Sequence, residues 1–88
     1  MLSITNQFKR DLKKANKQNK DLKLLEDIME RIVHQIPLSS KFRDHSLSHN
    51  WEGHRELHIQ NDWLLIYKMF LEDNVVIFVR LGSHSELF

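Results

Sequence analysis

Apolar residues along this chain follow two rhythms, and the change from one to the other divides it near Pro37. Phe8, Leu12 and Ala15 fall at i, i+4 and i+7 with lysines and Asp11 between them, the spacing of an amphipathic helix. Residues Asn16 to Asn19 interrupt that pattern. A second stripe follows, made of Leu22, Leu25, Ile28, Met29, Ile32, Val33 and Ile36. Asp21 stands where an N-cap or first-turn carboxylate meets free backbone N–H groups. Pro37 is expected to stop the second helix, because the residue before a proline is pushed out of the α region. Met1 to Thr5 reads as a short strand. So short a connection between the helices predicts an antiparallel hairpin.

After Pro37 the period drops towards two. Lys41 to Asn50 is polar and aperiodic, hence a loop. From His54 to Ile59 the residues alternate, with Arg55, Leu57 and Ile59 on one face and His54, Glu56 and His58 on the other. Gln60-Asn61-Asp62 reads as a turn. Trp63 to Phe70 and Val75 to Leu81 are rich in β-branched and aromatic residues, and the turn-like Glu72-Asp73-Asn74 separates them. In the last strand, alternation puts Val75, Ile77, Val79 and Leu81 on one side and Val76, Phe78 and Arg80 on the other. Helices first and strands afterwards predict an α+β fold: an N-terminal helical hairpin packed on a small, twisted, mainly antiparallel sheet. Residues 1–88 form one domain, with a short strand and two helices over 1–37 and a loop and three-stranded meander over 38–88.

Composition narrows the picture. An apolar share of 41% with 28% charged residues describes a folded chain, too apolar for intrinsic disorder. The absence of cysteine excludes a disulfide framework and a thiolate zinc site, and is compatible with a reducing cytoplasm. No apolar run is long enough to cross a bilayer and no basic-then-apolar leader opens the chain, so neither a membrane nor a secretory route is expected. The formal net charge is +1, unevenly spread: residues 1–33 carry eight basic and five acidic side chains, residues 34–88 five and seven. The basic first part can attract a polyanion, although charge alone favours a solvated helical face.

Histidine changes the picture most. Six occur, and His45, His49, His54, His58 and His84 all lie after the helices. With an unperturbed pKa of about 6.5, imidazole gives or takes a proton near neutral pH. Breaking a ribose phosphodiester without a metal needs a base for the 2′-hydroxyl, a cation for the charged intermediate and an acid for the leaving 5′-oxygen. Histidines with Arg80 supply all three if Arg80 projects from the face that presents His54, Glu56 and His58. Bland roles compete. His34 and His49 read as surface residues, His54 suits either role, Arg80 can pair with Glu56 across the sheet, and Trp51 and Trp63 are packing anchors first. A metal site is not expected: His54 and His58 would lie about 13 Å apart on a strand, and there is no H-E-x-x-H motif.

Linked motifs carry a resemblance. Asp44-His45-Ser46-Leu47, Trp51-Glu52-Gly53-His54-Arg55-Glu56-Leu57-His58, Asp62-Trp63-Leu64-Leu65-Ile66-Tyr67 and Arg80-Leu81-Gly82-Ser83-His84-Ser85-Glu86-Leu87-Phe88 follow one another across residues 44 to 88. Their order, D-H-x-L, W-x-G-x-R-x-x-H, D-W-x-L-I-Y and R-x-G-x-H-x-x-L-F, resembles the YafQ-like branch of the RelE/ParE toxin superfamily. That resemblance implies a type II toxin: an endoribonuclease that enters the ribosomal A site and cuts translated mRNA, restrained by a cognate antitoxin in the cytoplasm and needing no cofactor. Carried over by position, it implies that His45, His58, Asp62 and His84 are acid–base residues. His58 and His84 would be the proton-transfer pair, Asp62 an orienter or base, and His45 a support. Arg80 would stabilise the phosphate and Phe88 would position the substrate by stacking. Two features depart from the family: His54 stands where an aromatic residue usually precedes Arg55, and the net charge is modest. A ParE-like toxin that blocks DNA gyrase is the alternative with a shared fold, and an inactive scaffold is a third reading.

Overall fold

Thr5 starts the first helix by turning its hydroxyl back on the chain. In the computed structural model, which describes residues 1–88, Thr5 is extended and its Oγ1 accepts the Phe8 N–H at 2.9 Å. That bond satisfies one of the donors that a helix start leaves free. Strand β1 (Leu2–Ile4) precedes it and helix α1 (Asn6–Lys17) follows. The helix closes without glycine. Asn19 turns left-handed at φ 57°, donating to the Asn16 carbonyl while Lys20 donates to that of Ala15. Helix α2 (Leu22–Val33) is capped by Asp21, whose Oδ1 accepts the Leu24 N–H at 3.0 Å. It ends earlier than Pro37 predicts. Gln35 takes φ 56°, and the Ile36 N–H reaches back to the Arg31 carbonyl at 2.9 Å. A left-handed closing residue therefore stops the helix before the proline does, and Ile36 falls off the apolar stripe, 46% exposed.

The remaining elements are β2 (His45–Ser46), β3 (Arg55–Gln60), β4 (Trp63–Phe70), β5 (Val75–Gly82) and the one-turn helix α3 (His84–Leu87). The sheet runs β1-β5-β4-β3-β2, with β1 parallel to β5 and every other pair antiparallel. The expected meander is thus the centre of a wider, five-stranded α+β sheet. Lys41–Asn50 is not wholly loop, since two of its residues form β2 and pair with Arg55 and Glu56. Both edge strands are short, which limits pairing with other chains.

Why the sheet is so well anchored follows from β4. Trp63, Leu64, Leu65, Ile66 and Tyr67 are all buried, so this strand is covered on both faces. Towards the helices, Trp63, Leu65 and Tyr67 join Leu57, Ile59, Val76, Phe78 and Leu81 against Phe8, Ala15, Leu25, Ile28 and Ile32. On the other face Leu64 and Ile66 pack with Leu87, and Leu47, Trp51 and Val79 lean on them. Strict alternation in β5 fails at Val79. The register runs Ile66 to Arg80 and then Tyr67 to Phe78, leaving Val79 as an extra bulged residue. Phe78 and Leu81 consequently both face the helices, and Val79 moves to the far side.

Phe78 is fully buried between Phe8 and Tyr67, with ring centroids 6.0 and 6.3 Å away. Phe78→Ala is expected to cost about 3–5 kcal/mol, most of the stability of a domain this small. Urea unfolding of the two proteins checks this; a difference under about 1 kcal/mol would contradict so tight a core.

Candidate active site

The far face of the sheet, away from the hairpin, gathers imidazoles. His58 sits on β3 two residues after Glu56, so both side chains leave the strand on one side. Across the β2–β3 pairing, His45 lies opposite Glu56. The His58 ring centroid is 6.4 Å from that of His45 and 5.8 Å from that of His84. Glu56, only 4% exposed, stands between two of them: its Oε1 is 3.7 Å from His45 Nε2 and 3.6 Å from His58 Nε2.

Hydrogen bonds orient each ring. His45 Nδ1 lies 2.7 Å from the carbonyl oxygen of Arg43, which can only accept, so that nitrogen carries the proton. At His58 the logic reverses. Arg43 Nη2 donates to Nδ1 at 3.1 Å, which leaves the proton of the neutral ring on Nε2, facing Glu56. Burial holds the His58 pKa below its ordinary value and the Arg43 charge adds to this, with Glu56 opposing and His84 and His45 contributing weakly in the same direction as Arg43.

The chain's end joins the site through Asp62. This residue occupies a left-handed turn conformation, φ 51°, between β3 and β4. Its Oδ1 accepts the backbone N–H of His84 at 3.0 Å and the ring Nδ1–H at 3.2 Å. These two donors, the backbone one first, draw the Asp62 pKa below the usual carboxylate range. Helix α3 is held further by a capping box, Ser83 N–H donating to Glu86 Oε1 at 2.8 Å and Glu86 N–H to Ser83 Oγ at 3.3 Å. Glu86 also pairs with Lys14 of α1, and that cation and the Ser83 N–H bring its pKa down to about 2. Phe88 completes the cluster, exposed, its ring 6.2 Å from His84 and 5.9 Å from Trp51. Beside His58, a groove of about 370 Å³ opens between Arg43, Lys41 and Phe42 on one side and Gln60 and Asn61 on the other.

Of the residues expected here, His45, His58, Asp62, His84 and Phe88 come together. Arg80 does so only in part. It pairs with Ile66, which pairs with Glu56, so the three share one cross-strand row on the far face. Its guanidinium, however, bonds to Asp11 of α1, with Nε 2.9 Å and Nη2 3.4 Å from the carboxylate. That places it near the end of β5, beyond the residues paired with β1, where Asp11 also accepts the Leu81 N–H at 2.9 Å. The alternative pairing of Arg80 with Glu56 is not made: Arg80 bonds Asp11, and the nitrogens near Glu56 are those of His45 and His58. His34 pairs with Glu30 on α2, and His49 is exposed with no hydrogen bond from its ring. His54 leans edge-on against Trp51 at 5.3 Å and stands apart from the cluster. Two residues of the site were not anticipated. Glu56 could be read from the alternation that put it on the face of His58; Arg43, in an aperiodic loop with φ 50°, left no signal.

Fold and site together define an α+β domain whose helical hairpin backs a sheet carrying an imidazole–carboxylate cluster, the class of the RelE-like toxins. The family model described as a bacterial toxin of type II toxin–antitoxin systems, YafQ, matches residues 1–88, and the chain belongs to that family. The mRNA interferase toxin YafQ of Escherichia coli strain B / BL21-DE3 is 38% identical over 88 residues, covering 99% of this chain and 94% of that one. A crystal structure of YafQ from E. coli BL21(DE3) superposes with a TM-score of 0.93 at 35% identity, over 100% of this chain and 97% of that one. YafQ in the E. coli DinJ–YafQ complex gives a TM-score of 0.90 at 36% identity, with coverages of 100% and 97%. A metal-bound toxin from Helicobacter pylori is similar too, with a TM-score of 0.93 at 39% identity and coverages of 100% and 98%. In this chain no three histidine, aspartate or glutamate side chains are grouped to hold a metal ion.

A depressed His58 pKa has a testable sign. The unfolded chain protonates first as pH falls, so the stability this residue contributes is full above its ordinary value of 6.5 and is lost as pH drops through the lower folded value. Imidazole titration followed by NMR is expected to give His58 a midpoint below 6.5. A midpoint above it would contradict the burial and the Arg43 contact.

Proposed function

We propose that this chain is a toxin that cleaves translated mRNA at the ribosomal A site without a metal, by proton transfer between imidazoles. The observation that carries the reading is the closeness of His58 and His84, 5.8 Å between ring centroids, with Asp62 fixing the second of them. One imidazole of this pair, at a ring nitrogen with a free lone pair, takes the proton of the ribose 2′-hydroxyl. The 2′-oxygen attacks phosphorus, the bond to the 5′-oxygen breaks, and the other imidazole, in its protonated form, gives that oxygen a proton. A 2′,3′-cyclic phosphate and a 5′-hydroxyl remain. His45 and Glu56 steady the charge around His58, Phe88 stacks on a neighbouring base, and Arg80 turns from Asp11 towards the phosphate, whose charge its fork suits.

The relatives support the reaction class, since E. coli YafQ bears the name mRNA interferase. A gyrase-blocking activity finds no support among them, and a binder that does no chemistry has no need of an ordered imidazole pair. The cognate antitoxin is the expected partner, by likeness to YafQ in its complex with DinJ. No helix is long and apolar enough to cross a membrane, and the proposed site of action, the translating ribosome, puts the protein in the cytoplasm.

Expression without antitoxin is expected to arrest growth with rapid loss of mRNA, and His84→Ala to remove both effects; one lost proton-transfer group costs about 10²–10⁴-fold in rate. Equal toxicity of the two chains would contradict the role of His84. Growth arrest with stable mRNA and a DNA-damage response would point to gyrase instead.

A further inference from the structure

Asp44 sits between Arg43, which bonds both His45 and His58, and His45 itself, yet its own side chain turns to Tyr67. Both its oxygens lie close to the Tyr67 hydroxyl, at 2.7 and 2.8 Å, and Oδ1 also accepts from Arg55 Nε at 3.2 Å. Tyr67 is 2% exposed and locked in the core of β4. Burial and the Asp44 carboxylate together push its pKa up, so the phenol stays a donor at every physiological pH. The loop is therefore tied by a carboxylate to one rigid phenol and one neighbouring strand.

What that tie holds in place is the site. Arg43, left-handed at φ 50°, presents its carbonyl to His45 Nδ1 and its guanidinium to His58 Nδ1. An arginine side chain in an exposed loop has many rotamers to lose, and a bond to one imidazole offsets that cost only if the backbone is already fixed. We infer that Asp44 and Tyr67 are positioning residues: their hydrogen bond holds Arg43 against the ring of His58 and so sets which nitrogen of that ring carries the proton. The inference rests on the reading of His58 as a proton-transfer group for its importance, but its test reads the imidazole directly.

The charged and titratable groups around His58 are Arg43 and Lys41 from the loop, Glu56 on its own strand, His45 on β2 and His84 on α3. Removing the strut acts chiefly on the first of them; His45, which the Arg43 carbonyl also holds, has the smallest effect on His58. NMR titration of His58 in the purified toxin, with the ring tautomer read from its nitrogen shifts, is the measurement. Arg43→Ala is expected to raise the midpoint towards 6.5 and to release the proton from Nε2 to both nitrogens. Tyr67→Phe, which keeps the ring in the core, should do the same, and Tyr67→Phe added to Arg43→Ala should add nothing. Asp44→Asn offers the same test at a more exposed position if the core substitution unfolds the chain. Should Tyr67→Phe and Asp44→Asn leave the midpoint and tautomer of His58 as in the parent while Arg43→Ala moves them, the strut is structural only. No response to Arg43→Ala would overturn the proposal at its first contact. Toxicity enters neither outcome, so a failed nuclease reading and a failed strut remain distinguishable.

Discussion

A single carboxylate oxygen joins the last residues of the chain to the sheet. Asp62 Oδ1 takes two hydrogen bonds from His84, one from its backbone and one from its ring. Helix α3 spans four residues, far too few to be stable by itself. Its position comes from outside: from Asp62, from the Lys14–Glu86 pair to α1, and from Leu87 buried against Leu64 and Ile66. Asp62 is the one of these that fixes the orientation of the imidazole as well as its place. Bonding the backbone N–H and the ring N–H to one oxygen leaves His84 Nε2 as the free nitrogen, beside His58 and Phe88.

The sheet allows this because it has two working faces. A chain of 88 residues has little apolar surface to spare, yet β4 is buried on both sides. The hairpin covers one side with the main core. The second, smaller cluster beneath Trp51 and Val79 gives the polar face a firm floor, on which Phe88 and Trp51 meet. Glu56 is buried in that setting, with a nitrogen of each of two imidazoles 3.6 and 3.7 Å from its carboxylate and no arginine beside it. Arginine instead flanks the cluster: Arg43 touches His58, and Arg80 bonds Asp11 near the end of β5.

How much of this could be read from the letters depends on the range of the forces involved. Periodicity is local, and it correctly separated Leu57 and Ile59 from Glu56 and His58. The linked motifs put His45, His58, Asp62, Arg80, His84 and Phe88 on one list; the fold gathers five of them and leaves the Arg80 guanidinium on Asp11. Helix α3 carries a local signature too, since Ser83 followed three residues later by Glu86 is a capping box. Other features depend on contacts between distant segments. The bulge at Val79 comes from strand pairing, and it defeats any count of alternate residues. Asp11 looks like one acid in a lysine-rich helix, and its partners Arg80 and Leu81 lie at the other end of the chain. The left-handed turns at Gln35 and Arg43 carry no glycine to announce them.

The central claim is that imidazoles, without a metal, pass the 2′-oxygen's proton out and a proton to the 5′-oxygen in. The ends of the cut RNA record this directly. Transcripts cleaved by the purified toxin on translating ribosomes should carry a 5′-hydroxyl and a 2′,3′-cyclic phosphate at the break. A 5′-phosphate and a 3′-hydroxyl would mean that water, not the neighbouring hydroxyl, attacked the phosphorus, and would contradict this account of the site.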